Sequence, residues 1–475
     1  MKQKLRAIFK GPVVFYPLLF AVFPILFLYA HNIIETSASQ IWLPLGVSVA
    51  AALVLWAVLS LILRSLSKAG LATAIFLLFF FSYGRLYAAL ETWGVFVPKH
   101  AHLLPGTLFI WGYCVYFIGR AKRDFRITTK MLNIAAVALI AINLFNIGSY
   151  QVRLARLSAG ASVEMPEQAA DSLAELSTLP DIYYIILDGY ASLSTIKEHY
   201  GYDNSEFANR LTDKGFFIAQ ESRTHIAATE YSIASVLNME YIGGTVPLDI
   251  VYERIAHNSV AKFLRSEGYS FVYIGTLTVD ADLHYNPYKS GGSSVAVNEF
   301  LRIAWNTTML NPFYMYIFGT QFDNYHRAAV MGSIELLGNL PEMSGPKFVY
   351  AHINCPHDPF VFSSSGGHVG AGNFYNYVDK QVYLGQYIFI TNEIEEVIVA
   401  LLEKSKTPPI IILQSDHGVK TLGKDAGTRI FNAIYLPDNG KEYLYDSIPQ
   451  VNTYRLIFNH YFGANYTMLE YTAGG

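Results

Sequence analysis

The sequence predicts two architectures in series: five membrane-crossing helices, then an α/β domain whose central sheet is mostly parallel and flanked by helices. Three observations predict this. Five long apolar stretches fill roughly the first third of the chain; short aliphatic runs then alternate with helix-period segments; and three of those runs end in Asp or His.

The 475 residues are 52% hydrophobic and only 15% charged, too apolar for an ordinary soluble protein. The excess lies in residues 12–31, 41–63, 71–90, 103–119 and 131–149, each long enough or nearly so to cross a bilayer as a helix. Orientation follows from the cations, because short cytoplasmic loops are rich in Lys and Arg. Lys2, Lys4, Arg6 and Lys10 precede the first span. Arg64 and Lys68 separate the second from the third, and Arg120, Lys122, Arg123, Arg126 and Lys130 the fourth from the fifth, whereas the alternate loops carry only Lys99. This parity places the N-terminus in the cytoplasm and everything after the fifth span outside it, periplasmic or extracellular, in an inner or plasma membrane protein. A cleaved signal peptide is the rival reading of the first span, but four more spans follow and the parity works with it retained. Arg85, inside the third span, either faces a headgroup channel or snorkels to the outer interface.

The organisation expected is a transmembrane domain over 1–150, a juxtamembrane linker over 151–180 that is polar and Ala/Ser-rich, and a catalytic domain over 181–475. "DIYYIILDG", "FVYIGTL", "KFVYAHI", "PIIIL" and "FNAIYLP" read as strands. "NSEFANRLTDKG" and "NSVAKFLRSEG" read as helices opened by Asn/Ser caps and stopped by Gly215 and Gly268, and "TNEIEEVIVALLEK" as an amphipathic helix. Cys114 and Cys355 are the two cysteines, so no disulfide framework is expected. A net charge of −3 with no basic cluster beyond the cytoplasmic loops gives no sign of a nucleic-acid partner.

Asp188 ends the first strand, His352 and His357 fall at and after "KFVYAHI", and Asp416 and His417 follow "IIILQS". Ligands of parallel α/β sheets bind beyond the carboxyl ends of strands, so these residues gather at one rim. Carboxylates with imidazole suit Zn²⁺ or Mn²⁺ better than Ca²⁺. In "RTHIAATEYSIASVLNMEY", Thr229 falls at or near a helix N-terminus, where free N–H groups and the positive dipole end suit an anionic phosphate. A Thr hydroxyl attacks only when activated, and coordination to a metal lowers its pKa. Each residue also has an ordinary structural reading: a turn acid for Asp188, an N-cap for Thr229, a core histidine for His352. His225, His284, His326, His368 and His460 are left as surface or core residues.

Taken together, "ILDGYA", "THIAATEYSIASVLNMEY", "HINCPHDPF" and "ILQSDHG" resemble the alkaline phosphatase/sulfatase superfamily, in its membrane-embedded branch of lipoteichoic acid synthase-like and phosphoethanolamine transferase-like proteins. The resemblance implies that Asp188, Thr229, Asp416 and His417 hold one metal, that Thr229 is the nucleophile, and that His357 contacts substrate or a second metal, with His352 the weaker match. It implies a phospho-headgroup moved to an envelope lipid or glycan through a phospho-threonine intermediate, with a membrane lipid as donor or acceptor. The chain departs from sulfatases proper: neither cysteine lies in a Cys/Ser-x-Pro-x-Arg motif, which argues against formylglycine-based sulfate hydrolysis. The disulfides common in phosphoethanolamine transferases are missing too. Two alternatives stand beside transfer: a hydrolase without acceptor, and an inactive membrane-tethered binding protein.

Overall fold

The computed structural model describes residues 13–33, 36, 38–93, 99–160, 179–290, 299–369, 380–438 and 440–474. It divides into two compact units, one comprising Met1–Met165 with Ser294–Gly319, the other Pro166–Ser293 with Thr320–Gly475. The cationic N-terminus and most of the expected linker, 161–178, lie outside the described residues.

The first unit is helical: α1 (Tyr16–His31), α2 (Trp42–Leu63), α3 (Leu66–Trp93), α4 (His100–Arg120), α5 (Arg126–Gly160) and α11 (Glu299–Thr307). Among the described residues four helical segments, Ala38–Leu63, Leu66–Leu90, His100–Arg120 and Arg126–Val152, are long and apolar enough to cross a membrane. Their outward side chains, Leu61, Phe109 and Phe145 among them, are more than 70% exposed, a surface suited to lipid rather than water. The first expected span is a 16-residue apolar helix with Pro24 inside, about 24 Å long against a hydrocarbon core of about 30 Å. Its orphan N-terminal N–H groups are capped from α5: Asn133 Oδ1 accepts from Phe15 N at 3.3 Å and Tyr16 N at 3.0 Å, and Asn133 Nδ2 donates to Val13 O. α5 continues through 151–160, which the sequence alone assigns to the linker.

The second unit is built on a seven-stranded sheet: β1 (Ile182–Leu187), β2 (Phe217–Ile218), β3 (Ser270–Ile274), β4 (Leu283–Tyr285), β5 (Lys347–Ile353), β6 (Ile410–Ser415) and β7 (Asn432–Tyr435). The order is β2-β7-β6-β1-β5-β3-β4, parallel from β6 through β4, with β7 and β2 antiparallel at one edge. Alternation along β1 sorts its side chains: Tyr183, Ile185 and Leu187 enter one core and Ile182, Tyr184 and Ile186 the other. The first core is covered by α13 (Lys380–Lys404), which starts well before the expected amphipathic segment because Tyr383, Tyr387 and Ile390 continue the buried stripe of Ile394, Val397 and Leu401. The second is covered by α8 (Thr229–Asn238), α10 (Ser259–Ser266) and α14 (Thr453–Phe462). Asn258 caps α10 as expected, its side chain accepting from Ala261 N at 2.8 Å. Helices α6 (Leu193–Tyr200), α7 (Ser205–Asp213) and α9 (Leu248–Ala256) complete this unit, and α12 (Asn311–Asn339) runs through the division between 319 and 320.

Candidate metal and phosphate site

Three adjacent central strands position the candidate residues. Leu187 of β1 pairs with Ile353 of β5 and with Ser415 of β6, so the chain leaves the sheet at Asp188 and at Asp416 side by side. His352 stands opposite Ile186, near the end of the β1–β5 ladder. Burial on both faces of these strands makes them rigid supports for the residues at their carboxyl ends.

The polar atoms of those residues converge without hydrogen-bond partners. His417 Nε2 lies 3.5 Å from Asp188 Oδ1 and 3.5 Å from Asp416 Oδ2, while His352 Nε2 lies 3.5 Å from Asp188 Oδ2. Asp188 Oδ1, Asp416 Oδ2, His352 Nε2 and His417 Nε2 are all buried with no hydrogen bond. Leaving such groups unmade costs about 1–3 kcal/mol each, more for a charge. Donors around a tetrahedral ion at about 2.0–2.1 Å stand about 3.3–3.4 Å apart. The spacing and the mixed oxygen and nitrogen set therefore fit a divalent cation of the Zn²⁺ or Mn²⁺ type. Ligand atoms within 4.8 Å of one another form two overlapping triads, Asp188–His357–His417 and Asp188–His352–Asp416.

The supporting hydrogen bonds aim these atoms. Asp416 Oδ1 accepts from Gly189 N at 3.0 Å and His417 N at 2.8 Å, which leaves Oδ2 turned inward. His417 Nδ1 donates to Gly418 O at 2.7 Å, which fixes the neutral tautomer with its lone pair on Nε2. Gly418 is required by close approach: a Cβ there would stand 2.2 Å from Ala426 O and 2.5 Å from Arg429 O. Gly189 has φ +67°, a left-handed turn that lets the backbone reverse immediately after Asp188. His357, half-exposed, donates Nδ1–H to Asp358 and is tied to the site by its own N–H, which donates to Asp188 O at 3.0 Å. Buried Gln386 holds its loop, Nε2 donating to His357 O and Oε1 accepting from Val361 N. Gln386 was not singled out in the sequence, because a glutamine inside an amphipathic helix carries no visible signal.

Electrostatics match. Burial pushes the His357 imidazole down, but the Asp188 and Asp358 carboxylates more than offset it and raise its pKa to about 10. Burial likewise lowers His352, but Asp188 and Asp416 together raise it on balance. Burial pushes the Asp188 carboxyl up, yet His357, His352 and His417 together hold it well below the usual carboxylate range. The pocket thus favours positive charge.

Thr229 is the first residue of α8, and Ala228 occupies the N-cap, so the N-cap role is not the use of its side chain. Among the described residues the Thr229 hydroxyl has no hydrogen-bond partner. One turn on, Ser232 Oγ donates to Asp416 O at 2.6 Å, which ties the helix's first turn to the backbone of a candidate ligand.

Fold and site together define a class: an α/β domain with an acid–imidazole cluster at the carboxyl ends of adjacent parallel strands, in a chain that also carries apolar membrane-length helices. No family model and no curated protein matches the sequence. Solved structures similar to the chain include the C-terminal periplasmic domain of EcEptC from Escherichia coli in complex with Zn, at 11% identity, TM-score 0.39, 57% of this chain and 79% of that one. The C-terminal periplasmic domain of phosphoethanolamine transferase EptC from Campylobacter jejuni is similar at 12% identity and TM-score 0.38, over 61% of this chain and 92% of that one. Phosphonate monoester hydrolase of Agrobacterium radiobacter is similar at 13% identity and TM-score 0.36, over 58% of this chain and 74% of that one.

Proposed function

We propose that this chain is a membrane-anchored, metal-dependent phosphotransferase that moves a phospho-headgroup between alcohols of membrane lipids or envelope glycans. The observation that carries the reading is the cluster of buried, unpartnered ligand atoms of Asp188, His352, Asp416 and His417, which fall into two triads sharing Asp188. In the proposal those residues, with Thr229, hold the cation. A bound divalent cation supplies Lewis-acid stabilisation of a developing alkoxide and of phosphoryl oxygens.

The chain's own groups supply the rest. Thr229 Oγ1, with no hydrogen-bond partner among the described residues, would give up its proton to solvent, an ionisation that a bound cation would favour, and bonds to phosphorus as the bond from phosphorus to the donor alcohol breaks. The N-terminal N–H groups of α8 face the phosphate charge with the positive end of the helix dipole. His357, its Nδ1 held by Asp358, offers Nε2–H to the leaving oxygen. The acceptor alcohol then gives its proton to His357 as it attacks the phosphorus of the phospho-threonine, and Thr229 leaves as the alkoxide in which it entered.

The test is turnover by the full chain in lipid nanodiscs of a headgroup-labelled phospholipid, with and without an added lipid alcohol. Label moving to the alcohol only when Zn²⁺ or Mn²⁺ is supplied is the expected result. Label released to water regardless of acceptor would assign a hydrolase instead, and no turnover with any metal would remove the proposal.

A further inference from the structure

Residues 299–319 stand in sequence between β4 and β5, yet they belong to the helical unit. The attachment is intimate. Met309 N donates to the backbone carbonyl of Phe80 in α3 at 3.0 Å, and Gly84 allows α3 to meet α11 backbone to backbone, since a Cβ there would fall 1.8 Å from Asn306 O. Phe300 and Ala304 of α11 are buried in one cluster with Ile25, Leu28 and Tyr29 of α1. A backbone N–H that bonds to a carbonyl inside a long apolar helix, with the crossing cleared by a glycine, is a built junction rather than a surface touch.

The junction also has a depth. Phe80 and Gly84 lie about 21 and 27 Å along α3 from Leu66, at 1.5 Å per residue, and so in the half of the helix away from Arg64 and Lys68. A hydrocarbon core of about 30 Å includes that level. Past the junction, Leu310, Phe313 and Ile317 repeat at helical spacing and are 37%, 46% and 49% exposed. The ring of Trp305 packs 5.7 Å from Tyr314 and 5.7 Å from Phe318, so the turn between α11 and α12 is preformed by aromatic residues of the kind that favour the headgroup level.

We propose that residues 299–319 form a second membrane-contacting element, a helical hairpin seated in the outer part of the bilayer half away from Lys68, with Leu310, Phe313 and Ile317 against lipid acyl chains. Lipid is the occupant because the segment is bonded through Met309 N to Phe80 O of a helix of membrane-crossing length, and its exposed side chains there are apolar. Membrane contact by this hairpin does not depend on the phosphotransfer reading.

The test places p-benzoylphenylalanine at Phe313, at Ile317 or, as a reference on α5, at Phe145, in the full chain reconstituted in phosphatidylethanolamine/phosphatidylglycerol nanodiscs. Exposed positions are used so that the fold is kept. After irradiation, mass spectrometry is expected to find lipid adducts at Phe313 and Ile317 as at Phe145. Adducts at Phe145 with none at the other two would overturn the proposal, as would crosslinks from Phe313 and Ile317 to a second copy of the chain.

Discussion

Replacing Asp416 by Asn changes one atom of the site and almost no volume. The side chain is fully buried; Oδ1 is held by the Gly189 and His417 N–H groups, and Oδ2 is the unpartnered atom 3.5 Å from His417 Nε2. An Asn can keep both bonds to its carbonyl oxygen only by turning its NH₂ toward the cation position. It then presents donors where a ligand is needed. Loss of a polar group that merely supports a ligand costs about 10–100-fold in metal affinity, and loss of an anionic ligand at least that. At a metal concentration about 100 times the wild-type Kd, binding stabilises the fold by about 2.7 kcal/mol; a 100-fold weaker site leaves about 0.4 kcal/mol. In chelator no metal contribution can be lost, so the stability difference between variant and wild type should be larger with Zn²⁺ than without it. Chelator-competition titration gives the affinities, and thermal unfolding with and without Zn²⁺ gives the shifts. Unchanged metal affinity in the variant would refute the reasoning, and so would an equal loss of stability with and without metal.

Three further outcomes rest on the same geometry. His352 and His357 have raised pKa values, so their protonated forms stabilise the metal-free fold fully below about 6.5; the contribution of His357 is lost as pH rises toward about 10, and that of His352 is lost above the ordinary imidazole range. Thermal unfolding in chelator should therefore show falling stability between about pH 6.5 and 10, with a smaller fall when Zn²⁺ is present because the cation replaces the protons. Gly418→Ala forces Cβ against Ala426 O and Arg429 O and should cost about 1–3 kcal/mol, with weakened metal binding because His417 Nδ1 is held by that same residue; denaturant unfolding and metal titration check both. Ser232→Ala removes a buried donor from Asp416 O and should cost about 1–3 kcal/mol, measured by denaturant unfolding, while Ser232→Thr retains the hydroxyl and most of the stability.

The strands were legible in the sequence because each is a compact aliphatic run, and Asp188, Asp416 and His417 were legible because a polar residue directly after such a run marks where a strand leaves the sheet. His352 was the weaker match in the sequence for a physical reason. Every residue of β5 is buried, so alternation, which ordinarily separates a core face from a rim, carries no contrast there, and only register against Ile186 brings the imidazole beside Asp188. The edge strands β2 and β4, two and three residues long, are too short to show a period. Residues 299–319 were read with the second domain because sequence order gives no hint that a segment between two strands returns to the helical unit. The contacts that bring it back, Met309 with Phe80 and Asn306 beside Gly84, join positions more than 200 residues apart.

The most direct measurement is a search for the covalent phosphoryl group itself. The full chain in nanodiscs, loaded with Zn²⁺ or Mn²⁺, is mixed with labelled donor lipid, quenched in acid and mapped by peptide mass spectrometry. Label on Thr229, absent in Thr229→Ala while that variant unfolds at the wild-type temperature, is the result expected of a hydroxyl that caps nothing and has no hydrogen-bond partner among the described residues. Turnover that persists in Thr229→Ala, or label on another residue, would contradict the account.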